Sequence, residues 1–264
     1  TRFPRDTTEW ILSGPHFSVA NPFHQTPRSV CETNRAYDRI DLENLPEEFL
    51  PRTNYVPACS ADEYRRRTPK VNWVADGEVD ARRVTDFYRL AYRGMLPQSG
   101  ERTLMPVILP PGAGHIHGVQ STSFRTTSLL LRQAASTVGL VSDFYVKTTG
   151  RNNLMATWAS LPLVPESSAL FCRLLSLQAL TRSYAQLWES NWNTEFLQQR
   201  WSVARDDRHS GARALPQDFF GFLTQQWRPG NALRTDYARR QALVEIDVLV
   251  AQSIGLTIDE LIAI

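Results

Sequence analysis

The chain has 264 residues, enough for one large domain or two modest ones that each bury a core. Its longest apolar runs, such as "SLLL" and "ALVEIDVLVA", fall far short of the roughly 20 residues of a membrane span, and no basic-then-apolar leader opens it. Three scattered cysteines, Cys31, Cys59 and Cys172, suit neither a disulfide framework nor a zinc site; no membrane or export signal is visible, and a reducing cytoplasm is the expectation.

The formal charge is only +2, yet of the 29 basic residues Lys70 and Lys147 are the sole lysines. Arginine's planar fork matches phosphates and guanine edges, so such a chain can bind nucleic acid at modest net charge. GC-rich codon usage produces the same skew, and composition leaves the two open.

In chain order, the first hundred residues alternate short strand-like runs ("EWILSGPHFSVA", "YDRIDL") with turn chemistry ("NPFHQTPR", "LPEEFLPRTNY") and should hold long loops. The densest basic stretch, "EYRRRTPKVNWV", falls among them. In "DARRVTDFYRLAYRGML", the spacing of Val84, Phe87, Tyr88, Ala91 and Met95 predicts a helix ending near Gly94. "RTLMPVILPPGAGHIHGVQSTSF" reads as two strands around a Pro-Pro-Gly-Ala-Gly turn, either a hairpin or a wide β-connection. "TTSLLLRQAASTVGLVSDFYVKTT" predicts a helix that loses regularity near Gly139, followed by a glycine-led polar loop, "GRNNLMATWASLPLV".

From Glu166 the pattern turns helical. "SSALFCRLLSLQALTRSYAQLWESNW" predicts a long amphipathic helix with Leu170, Leu174, Leu177, Leu180 and Tyr184 on one stripe. A second helix, "ALRTDYARRQALVEIDVLVAQSIG", should end at a Gly255 cap, and Thr257 with Glu260 form a capping-box pattern before "TIDELIAI". A chain that stops inside a freshly capped helix reads as a piece of a longer polypeptide. The expected class is α+β, with a mixed small-sheet, loop-rich first part over 1–164 and a predominantly helical part over 165–264.

Four catalytic patterns fail on their residues. Asn21-Pro22-Phe23 approaches the Asn-Pro-Pro-aromatic tetrapeptide with which amino-methylating enzymes grip a flipped base, but the second proline is missing and an Asn-Pro turn is the expectation. Neither Lys70 nor Lys147 follows an acid by two residues, which excludes the common metal-nuclease motif. His115 and His117 are spaced to share a strand face, with no acidic partner beside them. No Gly-x-Ser-x-Gly elbow exists. No catalytic, cofactor-binding or metal-binding residue is assigned.

What remains is a DNA-reading surface. Arg28, Arg52, Arg65, Arg66, Arg67 and Lys70 are expected in loops, and Arg125, Lys147, Arg151, Asn152 and Asn153 around the middle hairpin and helix. Arginine and lysine neutralise phosphates, and Arg and Asn make two-pronged contacts to base edges.

Extended phrases carry a resemblance as well: "ILSGPHFSVANPFHQTPR", "YDRIDLENLPEEFLPRTNYVPAC", "ERTLMPVILPPGAGHI", "SDFYVKTTGRNNLMATWASLPLV" and "ALRTDYARRQALVEIDVLVAQSIGLTIDELI". Over nearly its whole length the chain resembles the C-terminal part of large bacterial N6-adenine DNA methyltransferases. These are restriction-modification and phage-defence methylases whose relatives include combined methylase-endonucleases. The resemblance implies a target-recognition region that holds double-stranded DNA while a catalytic domain earlier in the polypeptide binds S-adenosylmethionine and receives the extruded adenine. It implies no cofactor in this segment, and as partners DNA, the protein's own methyltransferase domain and other defence-system subunits. By location it marks Lys147, Arg151, Asn152 and Asn153 as DNA-approaching and "RRRTPK" as a backbone-gripping loop. The alternative is a protein-interaction scaffold of a defence complex built on the helices after Glu166.

Overall fold

A computed structural model of the protein describes residues 1–33, 35–203 and 215–264. In chain order its elements are β1 (Ile11–Leu12), β2 (Gln25–Pro27), β3 (Tyr37–Arg39), α1 (Ala61–Arg67), β4 (Arg89–Arg93), β5 (Pro106–Leu109), β6 (Gly114–His115) and β7 (Val119–Ser123). Helices follow: α2 (Thr127–Val138), α3 (Leu140–Thr148), α4 (Ser168–Gln178), α5 (Ala185–Ser190), α6 (Asp236–Ser253) and α7 (Ile258–Ala263). The fold is α+β, and among the described residues the small sheets lie in the first part. No helix among the described residues is long and apolar enough to cross a membrane.

β4 organises the first part. It lies between β5 and β7 and pairs antiparallel with both, Leu90 facing Ile108 on one side and Thr122 on the other. The helix expected over this stretch is therefore corrected to a strand. Arg89, Leu90, Ala91 and Tyr92 are all buried, so a doubly covered strand shows no alternation. Four such residues in a row, flanked by further apolar side chains, mimic helical spacing. The two strands around the Pro-Pro-Gly-Ala-Gly turn do not form a hairpin. They flank β4, as a wide connection requires, and β6 between them pairs in parallel with β1.

The middle helix does lose regularity where glycine falls: Gly139 is extended (φ −66°, ψ 145°) and separates α2 from α3. A Cβ there would lie 3.0 Å from Val250 Cγ1, so α6 packs closely against the break. The long helix after Glu166 is shorter than expected and is not amphipathic. α4 is buried at every residue from Leu170 to Gln178, and the chain turns at Ala179 before α5 begins. At the end of α6, Gly255 takes φ +83° and Leu256 N–H reaches back to Ala251 O at 3.0 Å, the expected cap. The Thr257–Glu260 capping box opens α7.

One hydrophobic cluster runs from Trp10 to Val250, so the change of character at residue 165 falls within a shared core. Of Asn21-Pro22-Phe23, Phe23 belongs to that core, Pro22 is buried beside it and Asn21 is half-buried. Asn21 Oδ1 accepts from Phe23 N–H at 3.0 Å, and the Phe23 ring stacks on Trp10 with centroids 5.6 Å apart. The preceding Ala20 is held at φ +51°.

Several arginines act as clamps on backbone rather than as partners of acids. Arg234 donates to Leu42 O, Leu45 O and Leu180 O at 2.9–3.1 Å. Arg239 donates to Leu177 O, Leu233 O and Ala20 O at 2.8–3.0 Å. Arg93 donates to Phe17 O and Arg89 to Ala113 O. Burial pushes Arg89 and Arg239 down to about 10, a consequence of holding a guanidinium among carbonyls away from water.

Candidate nucleic-acid interface

The structure sorts the sequence-derived candidates into separate places. Arg28 and Arg52 flank β2: Arg28 Nε lies 2.8 Å from Asp38 on β3, and the Arg52 guanidinium sits 4.4 Å over the Phe3 ring. Arg65, Arg66 and Arg67 form the last turn of α1, which corrects their expected loop placement; Ser60 caps the helix through Glu63 N–H. Their charges are spoken for. Arg65 grips both oxygens of Asp86 at 3.0–3.2 Å, while Arg66 and Arg67 share Glu63, the latter at 2.7 Å. Lys70 lies 3.7 Å from Asp80. Exposed pairs of this kind contribute little to stability and can be exchanged for phosphate, but each acid cancels field that a phosphate would feel.

Arg125 is exposed. It precedes Thr126, whose side chain caps α2, and lines a cavity of about 210 Å³ with Arg82, Phe87, Tyr88 and Gln186.

At the Arg89 end of β4 lies a buried polar network. Arg89 Nη1–H donates to Ser121 Oγ at 3.2 Å, and His115 Nε2 is 2.8 Å from the same oxygen. The donation from Arg89 directs the Ser121 proton toward Nε2, which leaves His115 Nδ1–H for Ile116 O at 3.1 Å. Burial holds His115 below its ordinary value. His117 is exposed beyond the end of β6, so the two imidazoles do not share a strand face. With both ring nitrogens already bonded and no acid orienting it, the Ser121–His115 pair serves as a strut. Among the described residues no three His, Cys, Asp or Glu side chains gather as a metal site.

The other end of β4 brings four candidates together. Beyond Arg93 the chain pairs antiparallel with the loop after α3, with Met95 directly opposite Asn153. Leu96 N–H donates to Asn152 O at 3.0 Å and Leu154 N–H to Gly94 O at 2.9 Å. Gly94 N–H also donates to Gly118 O at 2.8 Å, which places the His117–Gly118 turn beside Met95. Gln98 Nε2 donates to Arg151 O at 2.8 Å, Lys147 Nζ to Gly100 O at 3.2 Å, and Arg151 Nη1 to Thr157 Oγ1 at 3.2 Å. Gly150, at φ +65°, turns the chain out of α3 and into this loop. Arg151, Asn152 and Asn153 are exposed, and neither Lys147 nor Arg151 has a carboxylate partner among the described residues.

Sequence reasoning missed three members of this patch: Met95, Gln98 and His117. It also passed over an available signal. Between Arg102 and Pro165 the chain holds a single carboxylate, Asp143. That group is buried and accepts from the N–H groups of Thr103 and Leu104 at 2.7 and 2.6 Å. The surface contributed by this stretch therefore carries cations and amides without acids.

No protein-family model, curated protein or solved structure matches the chain. The site is accordingly defined by its own geometry.

Proposed function

We propose that the chain is a non-catalytic, DNA-binding recognition region of an adenine-specific (N6) methyltransferase of a restriction-modification or phage-defence system. Its partner in this reading is double-stranded DNA, and the parent's catalytic domain uses S-adenosylmethionine. The observation that carries the reading is the acid-free loop after α3, where Arg151, Asn152 and Asn153 stand exposed with Lys147 behind them. Arginine and lysine supply phosphate attraction there, and two asparagines supply the paired donor and acceptor that fit an adenine edge. A duplex-binding titration over a range of salt concentrations tests it. Affinity should fall linearly on a log–log plot with a slope set by the number of phosphates contacted. Absence of binding at low salt rejects the reading.

A second reading rests on a different observation. α7 buries no residue, and Ile258 and Ile262, one helical turn apart, are 60% and 76% exposed. That face suits a protein partner, either the methyltransferase domain or another subunit of a defence complex. The two readings use different surfaces and are compatible.

A further inference from the structure

Arg89 faces Ser123 in the β4–β7 ladder, so the segments continuing outward from that pair, Arg82–Tyr88 on one side and Phe124–Thr127 on the other, leave the sheet together. With Gln186 of α5 and the buried Leu130 of α2 they line the cavity of about 210 Å³. Tyr88 fixes the approach to α5 by donating from its hydroxyl to Ser183 O at 2.9 Å. Phe87, Tyr88 and Phe124 give the cavity aromatic walls, and Arg82 and Arg125 stand exposed beside them. Arg82 lies over the Phe87 ring, 4.8 Å from its centroid, and is only loosely paired, 3.9 Å from Glu78. Asp86 is the one carboxylate lining this cavity among the described residues, and its charge is already met: Arg65 holds both oxygens and Arg83 N–H donates to one of them. A neighbouring cavity of about 630 Å³ shares Arg82, Asp86 and Pro111 but adds Asp62 and Glu78, which offset its arginines. The smaller cavity is therefore the one with cations to offer an anion.

We infer that this cavity is a binding site for a free nucleoside monophosphate, with the base against Phe87 and Phe124 and the phosphate at Arg82 and Arg125. Its volume falls below the roughly 300 Å³ at which pockets for larger ligands begin, so it takes one flat ring and leaves the rest of the molecule at the rim. Aromatic side chains stack on any base, and guanidinium groups bind phosphate through paired N–H donors. Gln186 separates a base from other phosphorylated rings. Its amide offers the donor and acceptor that a base edge takes and a phenyl ring does not. The site lies at the opposite end of β4 from the loop after α3, and it stands whether or not that loop binds DNA.

Isothermal titration calorimetry with the whole 264-residue chain tests this, with the four nucleoside 5′-monophosphates as probes beside the matching nucleosides, ribose 5-phosphate and phosphotyrosine. At least one nucleotide should bind with a Kd below about 1 mM, and about tenfold more tightly than its nucleoside, ribose 5-phosphate or phosphotyrosine. Arg125→Ala should weaken that binding about tenfold, and Gln186→Trp, which fills the cavity from an exposed position on α5, should abolish it. Arg151→Ala, in the loop after α3, should leave it within about twofold, since distant sites act independently. Failure of all four nucleotides to bind overturns the site, as does equal binding of ribose 5-phosphate, the nucleoside or phosphotyrosine. Binding that survives Arg125→Ala and Gln186→Trp but falls with Arg151→Ala moves the nucleotide to the proposed DNA surface and overturns the cavity. Arg125 and Gln186 are both exposed, and thermal unfolding should confirm that the variants keep the fold.

Discussion

Arg173 on α4 donates from Nε to Glu245 Oε2 on α6 at 2.5 Å, and both side chains are almost wholly buried, 6% and 5% exposed. The pair is closed by further bonds: Arg173 reaches Gln199 Oε1 and Arg200 O, and Glu245 accepts from Ser202 and Gln241. Removing one partner strands a buried charge, which typically costs about 3–5 kcal/mol. Arg173→Ala and Glu245→Ala should each lower the urea midpoint accordingly, and the double variant should lose less than the two losses added. Full additivity in a double-mutant cycle counts against the coupling.

Acid should destabilise the fold before carboxylates titrate. Burial, reinforced by Arg93, Arg39 and Arg239 and opposed by Asp236, pushes His24 down to about 4 from 6.5. A histidine depressed in the folded state binds fewer protons there than in the unfolded chain between those two values. Its contribution is therefore intact above pH 6.5 and drains away as the pH falls toward 4. His16 and His115 shift in the same direction, each chiefly through burial. His24→Gln should flatten the stability profile across this window, measured by urea unfolding at a series of pH values. An unchanged profile contradicts the assignment.

DNA affinity should depend more on the loop after α3 than on α1. Arg151→Ala is expected to weaken duplex binding about tenfold and to reduce the salt slope by about one, as loss of one phosphate contact requires. Replacing Arg65, Arg66 and Arg67 together should lower affinity less per residue, since their guanidinium groups are already held by Asp86 and Glu63 rather than free for phosphates. A triple variant with the larger loss per residue would move the interface to α1.

Ala20 offers a test of backbone strain in the core. It is fully buried at φ +51°, and its carbonyl receives Arg239. Ala20→Gly relieves the left-handed strain and should be neutral or stabilising by up to about 1 kcal/mol. Ala20→Val adds a branched side chain to a filled site in a forbidden conformation and should destabilise by at least about 2 kcal/mol. Thermal unfolding of the two variants should move in opposite directions or, at the least, separate widely.

Much of the second half was readable from local chemistry. The glycine break at Gly139, the Gly255 cap and the Thr257–Glu260 box are written in residues whose conformational effect is short-range. β4 was not readable, because its identity comes from the two strands that cover it, and these lie beyond any local window. The same limit hid half of the patch. Lys147, Arg151, Asn152 and Asn153 are neighbours in sequence, whereas Met95 and Gln98 reach them only through pairing across some fifty intervening residues. The acid partners of Arg65, Arg66 and Arg67 divide along the same line: Glu63 is one helical turn away, and Asp86 is brought in by tertiary contact.

The carbonyl-bound guanidinium groups bear on why lysine is so scarce. Arg234 ties together three stretches of chain, and Arg239 does the same around Ala20. A flat head with five hydrogens can satisfy oxygens spread along its rim, whereas an ammonium concentrates its three at one point and reaches fewer of them. Part of the arginine surplus is thus a demand of architecture: in a molecule so rich in irregular backbone, these side chains take over the joining work that longer sheets perform elsewhere.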